Sequence, residues 1–396
     1  MNYLAVRRLV SIIGIVTMLF SGCASPPMNA VAPAPAPVPV AVVEASPMPV
    51  PAPSPEPPLP FPPASYAKPL GAMAPDLYKL WYATNRTPLR TKSEIVDYSA
   101  KWDHGNIHYG TIYAEIPEDF LEQTGSRGLF ASLFRSSETK LRLTKPVEIE
   151  SKEFIRQIRL GFSNNKLDDN QILVYLHGFN TTFKEAAQRA ASIGYQLKMP
   201  STAFFSWPSQ GGMKKYIADR DAADISYESI AEFLVKVYSE SGATKVHLIA
   251  HSMGNHALLN AIKSPLMQDA LKGGMRFGQI ILAAPDVETE RFMRDAGKLA
   301  AIADRVSLYV SDGDLALKTS KFVAAGYSRA GLRPPIVVLN QIDTLDVSST
   351  NLTLLGHSFV SAEIAVLNDM HTLILSNLPP EKRSRVLKKE NYWVLK

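Results

Sequence analysis

Ser252 stands in the run Leu248-Ile249-Ala250-His251-Ser252-Met253-Gly254, where a short apolar strand passes through a small-x-Ser-x-Gly turn into a helix. A serine displayed on so sharp a turn can attack a carbonyl, because residues two before and two after it must be small for the backbone to fold back on itself. Ala250 fills the first small position at some steric cost, and Gly254 fills the second. The competing reading is that Ser252 is an ordinary helix N-cap. Nucleophilic catalysis needs three further parts: a base for the serine proton, an acid to orient that base, and N–H donors for the developing oxyanion. For the donors, Leu176-His177-Gly178-Phe179-Asn180 offers a His-Gly turn after an apolar run. The expected pair is the backbone N–H of Phe179, helped by Asn180, and that of Met253. For the acid, Asp314 follows Tyr309-Val310-Ser311-Asp312-Gly313, where the glycine lets the chain turn back. Asp286, after Leu282-Ala283-Ala284-Pro285, is the alternative acid, or a supporting residue at the start of a helix carrying Glu288 and Glu290.

For the base, His357 in Leu355-Gly356-His357-Ser358 is the only histidine between His256 and His371. The chain order Ser252, Asp314, His357 then follows a known serine-triad order. His357 must be neutral to accept the proton, so activity is expected to fall below about pH 6 to 7. His104, His108, His247 and His371 show no partner pattern, and His251 and His256 are expected to pack beside the turn or line the pocket. No histidine pair has ligand spacing with a nearby carboxylate, so neither a metal nor another cofactor is expected.

These residues need a frame. Strands are expected at 77–83 and 107–116, followed by an alternating series: strand 172–176, helix 183–197, strand 202–207, helix 221–238, strand 246–250. Three more rounds follow: strand 279–284 with a helix through Phe292 and Leu299, strand 306–310 with a helix through Lys321, and strand 336–342. Short apolar runs alternating with amphipathic segments predict an α/β fold, a doubly wound and mostly parallel sheet with helices on both faces. Such a sheet places its chemistry at the carboxyl ends of the strands, where all the candidate residues fall.

The N-terminus carries Arg7 and Arg8, an apolar run from Leu9 to Phe20, and Ser21-Gly22-Cys23. A run of about a dozen apolar residues is shorter than the roughly 20 a membrane-spanning helix needs, but suits a signal peptide. Leu19-Phe20-Ser21-Gly22 before Cys23 resembles the bacterial lipoprotein processing box, which implies that residues 1–22 are a lipoprotein signal peptide and that Cys23, the single cysteine in 396 residues, is acylated; ordinary secretory cleavage nearby is the alternative. Residues 23–73, rich in Pro, Ala and Val, are read as a disordered tether that reaches on the order of 100 Å in polyproline conformation. The catalytic domain is placed at 74–378 and a basic tail with solvated ends at 379–396, where Lys382, Arg383, Arg385, Lys388 and Lys389 cluster. The net charge of +5 is modest and implies no nucleic-acid partner. By resemblance to known bacterial lipoproteins, the lack of Asp after Cys23, where Ala24 stands, implies the outer membrane, facing the periplasm, with acylated Cys23 as the membrane contact; the sequence names no protein partner.

The chain resembles a bacterial family of esterase/lipase-like α/β-hydrolases of largely undefined physiological role. The resemblance spans Trp81 to Phe359 and rests on Tyr82-Ala83-Thr84-Asn85-Arg86, His177-Gly178-Phe179-Asn180, Phe205-Ser206-Trp207-Pro208-Ser209, Ala250-His251-Ser252-Met253-Gly254-Asn255, Leu282-Ala283-Ala284-Pro285-Asp286, Asp314-Leu315-Ala316-Leu317 and Gly356-His357-Ser358. It implies an α/β-hydrolase sheet and a serine hydrolase with Ser252, Asp314 and His357 as triad. His256 departs from the family pattern, in which arginine more often follows the asparagine. The stretch from Trp207 through Gly211-Gly212 toward Tyr216 and Asp219 reads as a pocket wall or partial lid, with a plain loop as the alternative. No long apolar insertion is present, which favours short-chain or amphiphilic acyl esters over triglycerides. An acyltransferase or thioesterase using the same triad, or an inactive envelope scaffold, are the alternative readings.

Overall fold

Seven consecutive parallel pairings carry the middle of the sheet in this computed structural model. The structure describes residues 76–92, 94–117, 120, 141–162, 170–210, 215–312, 326–348 and 359–396. The chain divides into two units, 1–70 and 71–396, and every described residue belongs to the second.

The strands are β1 (Asp76–Thr84), β2 (Arg86–Thr91), β3 (Glu94–Trp102), β4 (His108–Ile116), β5 (Arg142–Leu143), β6 (Val147–Ile149), β7 (Gln171–Leu176), β8 (Thr202–Ser206), β9 (Lys245–His251), β10 (Phe277–Ala283), β11 (Ala303–Val310), β12 (Asp343–Asp346), β13 (Val386–Lys389) and β14 (Tyr392–Leu395). Twelve form one sheet in the order β13-β14-β12-β11-β10-β9-β7-β8-β1-β4-β5, with β6 also on β4; β2 and β3 form a separate hairpin. Pairing is parallel from β1 through β14 and antiparallel only at the two margins.

The helices are α1 (Ser151–Phe162), α2 (Phe183–Gln196), α3 (Tyr216–Ile225), α4 (Tyr227–Glu240), α5 (Met253–Ile262), α6 (Pro265–Lys272), α7 (Thr289–Ala296) and α8 (Phe359–Ser376). Successive strand residues point to opposite faces, and both faces are covered. Val174, Phe205 and Leu248 face a core with Phe154 of α1, Phe233 of α4 and Phe292 of α7. Their neighbours Tyr175, Phe204 and Ile249 face the other core, with Phe183 and Ala187 of α2 and Leu373 of α8. Each such aromatic, taken fully out of water, contributes roughly 1.5–3 kcal/mol. Helix α2 starts directly after the His-Gly turn, and a capping box fixes its start: Thr182 accepts from Glu185 N–H while the Glu185 carboxylate accepts from Thr182 N–H at 2.8 Å.

Three expectations change. The single helix expected at 221–238 is two, α3 and α4, meeting at Ser226, whose hydroxyl donates to Ala222 O at 2.7 Å and accepts from Asn85 Nδ2 at 2.9 Å. A serine hydroxyl bonded back to its own helix bends it, and Asn85, the residue between β1 and β2, holds the bend. The strand expected at 336–342 is loop, with a turn at Asn340-Gln341 closed by Ile342 N–H to Leu339 O at 3.0 Å; pairing begins at β12. Its apolar residues are buried by packing, since Val337 and Ile342 fill the core without joining the ladder.

Residues 379–396, expected as a solvated basic tail, instead form β13 and β14, which extend the sheet through β12. Val386, Tyr392 and Leu395 are buried while Lys388 and Lys389 face outward. The Arg383 side chain is fully buried, 3.0 Å from Asp369 of α8, whose Oδ2 also accepts from Tyr309 of β11 at 2.5 Å. The basic count is real, but one of its charges serves the interior. The helix expected through Lys321 lies outside the described residues.

Candidate active site

The chain leaves β9 at His251, passes through Ser252 at φ 51° and ψ −119°, and enters α5 at Met253. A non-glycine residue in such a conformation costs on the order of 1–3 kcal/mol and persists only where its surroundings enforce it. Here they do. Ser252 N–H donates to Ala283 O at 3.0 Å, and its carbonyl accepts from the N–H groups of Asn255 and Asp286, each at 3.1 Å. The Asn255 amide also donates to Ala250 O at 2.9 Å and to Ser252 O at 3.1 Å, tying strand end, turn and helix start together. A Cβ on Gly254 would lie 2.6 Å from both Leu176 O and His177 O, so only glycine lets α5 approach the end of β7. The Ser252 side chain makes no capping bond to α5, which removes the N-cap reading.

The His177-Gly178 turn after β7 presses against this elbow. A Cβ on Gly178 would sit 2.9 Å from Ser252 Cβ and 3.0 Å from His251 Nδ1. His177 is a brace rather than a reactive group. Its Nδ1–H donates to Gly178 O at 2.7 Å, Nε2 accepts from Ser206 Oγ at 3.3 Å, and the ring stacks on Trp207 at 4.6 Å. Burial, with Arg86 nearby, pushes its pKa far below the usual imidazole range, so it is neutral. The next residues are held from outside. Asn180, itself at φ 54°, donates its N–H to Asp219 Oδ2 at 2.9 Å, and Thr181 N–H donates to Ser209 Oγ at 3.0 Å. Arg86 donates to Thr181 O at 2.8 Å, to Ser206 Oγ at 2.9 Å and to Ser209 O at 3.2 Å. Burial pushes the Arg86 guanidinium down to about 9 against the pull of Asp219, Asp97 and Glu185, and it stays charged at neutral pH. Met253 begins α5, so its N–H is one of the helix donors without an intrahelical partner.

Asp286 lies beside the elbow through its backbone bond to Ser252 O. Its carboxylate is buried, 3.3 Å from Arg329 Nε, and accepts from the Tyr216 hydroxyl at 3.1 Å. Asp314, His357 and Cys23 lie outside the described residues. The strand and helix adjacent to the first two are described: β11 ends at Val310, and α8 begins at Phe359.

The other histidines have structural settings. Asp224 accepts from His256 Nε2 at 2.6 Å while Arg291 donates to Nδ1 at 3.2 Å, a bracket that ties α3, α5 and α7 together. His251 is buried and pushed down to about 3 by burial first and Arg189 second. His247 is pushed down to about 4, again chiefly by burial. His108 lies between Asp103 and Glu148, at 2.7 and 2.5 Å. Among the described residues no group of three or more His, Cys, Asp or Glu side chains could hold a metal ion.

Sequence reasoning gave no site role to Asn255, Arg86 or Arg329, and took Asp219 only as pocket wall. Asn85, Arg86 and Asn255 stand in the short motifs quoted above, and that was their one visible signal.

No curated protein matches the chain. Among solved structures it is similar to a lipase-esterase related protein from Clostridium acetobutylicum ATCC 824, at 11% identity over 53% of this chain and 91% of that one, with a TM-score of 0.24. The model of a family described as alpha/beta hydrolase of unknown function (DUF900) matches residues 153–369, from α1 through the turn at Ser252 into α8. The chain therefore belongs to that alpha/beta hydrolase family.

Proposed function

We propose that the chain is a serine hydrolase that cleaves acyl esters, with Ser252 as nucleophile, His357 as base, Asp314 as the acid, and the N–H groups of Phe179 and Met253 as oxyanion donors. The observation that carries this is the enforced φ of 51° at Ser252, with a glycine turn packed against its Cβ. In the proposed cycle His357 takes the Ser252 proton as Oγ attacks the ester carbonyl, and Asp314 fixes the imidazole tautomer and stabilises its charged form. The tetrahedral oxyanion is held by the two N–H groups, each worth about 3 to 4 kcal/mol of barrier in comparable sites. Collapse expels the alcohol with the proton returned by His357. Water then attacks the acyl-enzyme with His357 again acting as base.

Asp286 is the brace in this scheme. Its Oδ1 lies 3.3 Å from Arg329 Nε and accepts from the Tyr216 hydroxyl, contacts that tie it to α3 and to Arg329. Lipidation at Cys23 and the Pro-rich 23–73 segment would hold the enzyme at the envelope, with short-chain or amphiphilic esters as substrates. The test compares Asp314→Asn and Asp286→Asn on a chromogenic ester. A loss of kcat by several orders of magnitude is expected in the first, and near-normal turnover there would sink the acid assignment. The anchor is tested by detergent partitioning, which should be lost in Cys23→Ser; unchanged partitioning would reject lipidation at that residue.

A further inference from the structure

A buried carboxylate that accepts three hydrogen bonds lies one helical turn from a tyrosine that reaches the nucleophile's own support. Asp219 of α3 is fully buried and accepts three bonds: from Asn180 N–H at 2.9 Å, from Gln210 N–H at 2.6 Å and from the Ser209 hydroxyl at 2.5 Å. Ser209 Oγ in turn accepts from Thr181 N–H at 3.0 Å. Asp219 thus fixes two consecutive amides of the turn that carries Phe179, one directly and one through Ser209. Tyr216, three residues earlier and on the same side of the helix, packs its ring on Phe179 at 5.5 Å and donates to Asp286 Oδ1 at 3.1 Å. The Asp286 N–H donates to Ser252 O at 3.1 Å.

We infer that α3 is a crossbar that sets the distance between the oxyanion turn and the nucleophile elbow, with Asp219 and Tyr216 as its positioning residues. The inference rests on the reading of Ser252 as nucleophile. One end of the crossbar is the Asp219 bond to Asn180, next to Phe179; the other is the Tyr216–Asp286–Ser252 chain. A helix is stiff over one turn, about 4.5 Å of rise for three residues, so the two ends keep a fixed spacing. The chemistry of the acceptor explains why it is an aspartate. Three donors converge on it, and a carboxylate accepts at both oxygens, whereas an asparagine of the same shape must turn an NH2 toward one of those donors.

The decisive variant is therefore Asp219→Asn, which keeps volume, loses one acceptor and removes the charge that faces Arg86. In the full chain, kcat on a chromogenic ester is expected to fall roughly 10- to 100-fold, less than the roughly 100- to 1,000-fold that outright removal of an oxyanion donor costs, with KM within about threefold of wild type. Affinity for an aryl boronic acid, which forms a tetrahedral adduct on the serine, should fall in parallel with kcat, a split that a purely structural role would not give. Tyr216→Phe keeps the ring packing and the buried carboxylate, so it remains folded if Asp219→Asn does not; a several-fold loss of kcat at constant KM is expected. Wild-type kcat in folded Asp219→Asn, or in Tyr216→Phe, overturns the crossbar and leaves the nucleophile standing. A wild-type chain that neither hydrolyses the ester nor reacts with a fluorophosphonate overturns the nucleophile reading, and the crossbar with it.

Discussion

Gly178→Ala adds one methyl group where the two halves of the proposed site touch. The glycine is not in the left-handed region, so its backbone accepts alanine and the cost is one of packing alone. The new Cβ would stand 2.9 Å from Ser252 Cβ, 3.0 Å from His251 Nδ1 and 3.2 Å from His251 O. None of these is the free end of a flexible chain: Ser252 is pinned by its backbone bonds, and His251 is buried. Ordinary carbon contacts lie at about 3.5–4.0 Å, so turn and elbow must separate by roughly 0.6–1 Å. Overpacking of this kind costs about 1–3 kcal/mol of stability. A displacement of about 1 Å between reacting groups costs on the order of a hundredfold in rate. The expected result is a folded enzyme, slightly lower in Tm, with kcat on a chromogenic ester reduced between ten- and a hundredfold as an order of magnitude. Gly161→Ala on α1 is the control, because nothing lies within 4 Å of its new Cβ and alanine favours the helix. Gly178→Ala turnover within twofold of wild type would refute the claim that this contact sets the catalytic spacing.

Three further perturbations separate strain, burial and protonation. Ser252→Gly should melt higher than Ser252→Ala, by about 1 kcal/mol, because only glycine relieves the backbone at φ 51°, and both should be inactive; equal melting would show that the elbow stores no strain. Arg383→Ala leaves the Asp369 carboxylate buried without its cation and should destabilise by about 3–5 kcal/mol in denaturant titration; a change below 1 kcal/mol would return residues 379–396 to the status of a dispensable tail. Burial holds the pKa of His177, His247 and His251 below the value of an unfolded chain, so the unfolded state binds these protons first. Stability from these groups is complete above about pH 6.5 and is lost as pH falls from there toward 4 and 3, His247 and His251 each accounting for on the order of 3 kcal/mol by pH 4. Urea midpoints flat between pH 7 and 4 would contradict that placement of the three rings.

What could be read from sequence was local. The runs of β7 and β9 were expected within a residue of their observed bounds, because a strand buried on both faces is written as an unbroken apolar run. The elbow pattern at Ser252 could not exclude a capping side chain, since both place a serine before a helix; the structure shows a left-handed turn there with no side-chain cap bond. The bend between α3 and α4 left no trace in the periodicity. It is made by Ser226 and by Asn85, 141 positions away along the chain. The C-terminal strands were hidden for a similar reason. Lysines on their outer face make the segment look solvated, and its anchor, Arg383 on Asp369 with Tyr309 behind, exists only once α8 and β11 have met. Arg86 and Asp219, charged types that composition assigns to the surface, are buried because each finds its partners on other elements.

The most direct test of Ser252 as the reactive group is mass spectrometry of the intact, folded chain after exposure to a fluorophosphonate at neutral pH. A single adduct mapping to Ser252, absent in Ser252→Ala, is the expected result. No adduct on the folded wild type, or an adduct that persists in Ser252→Ala, would contradict it.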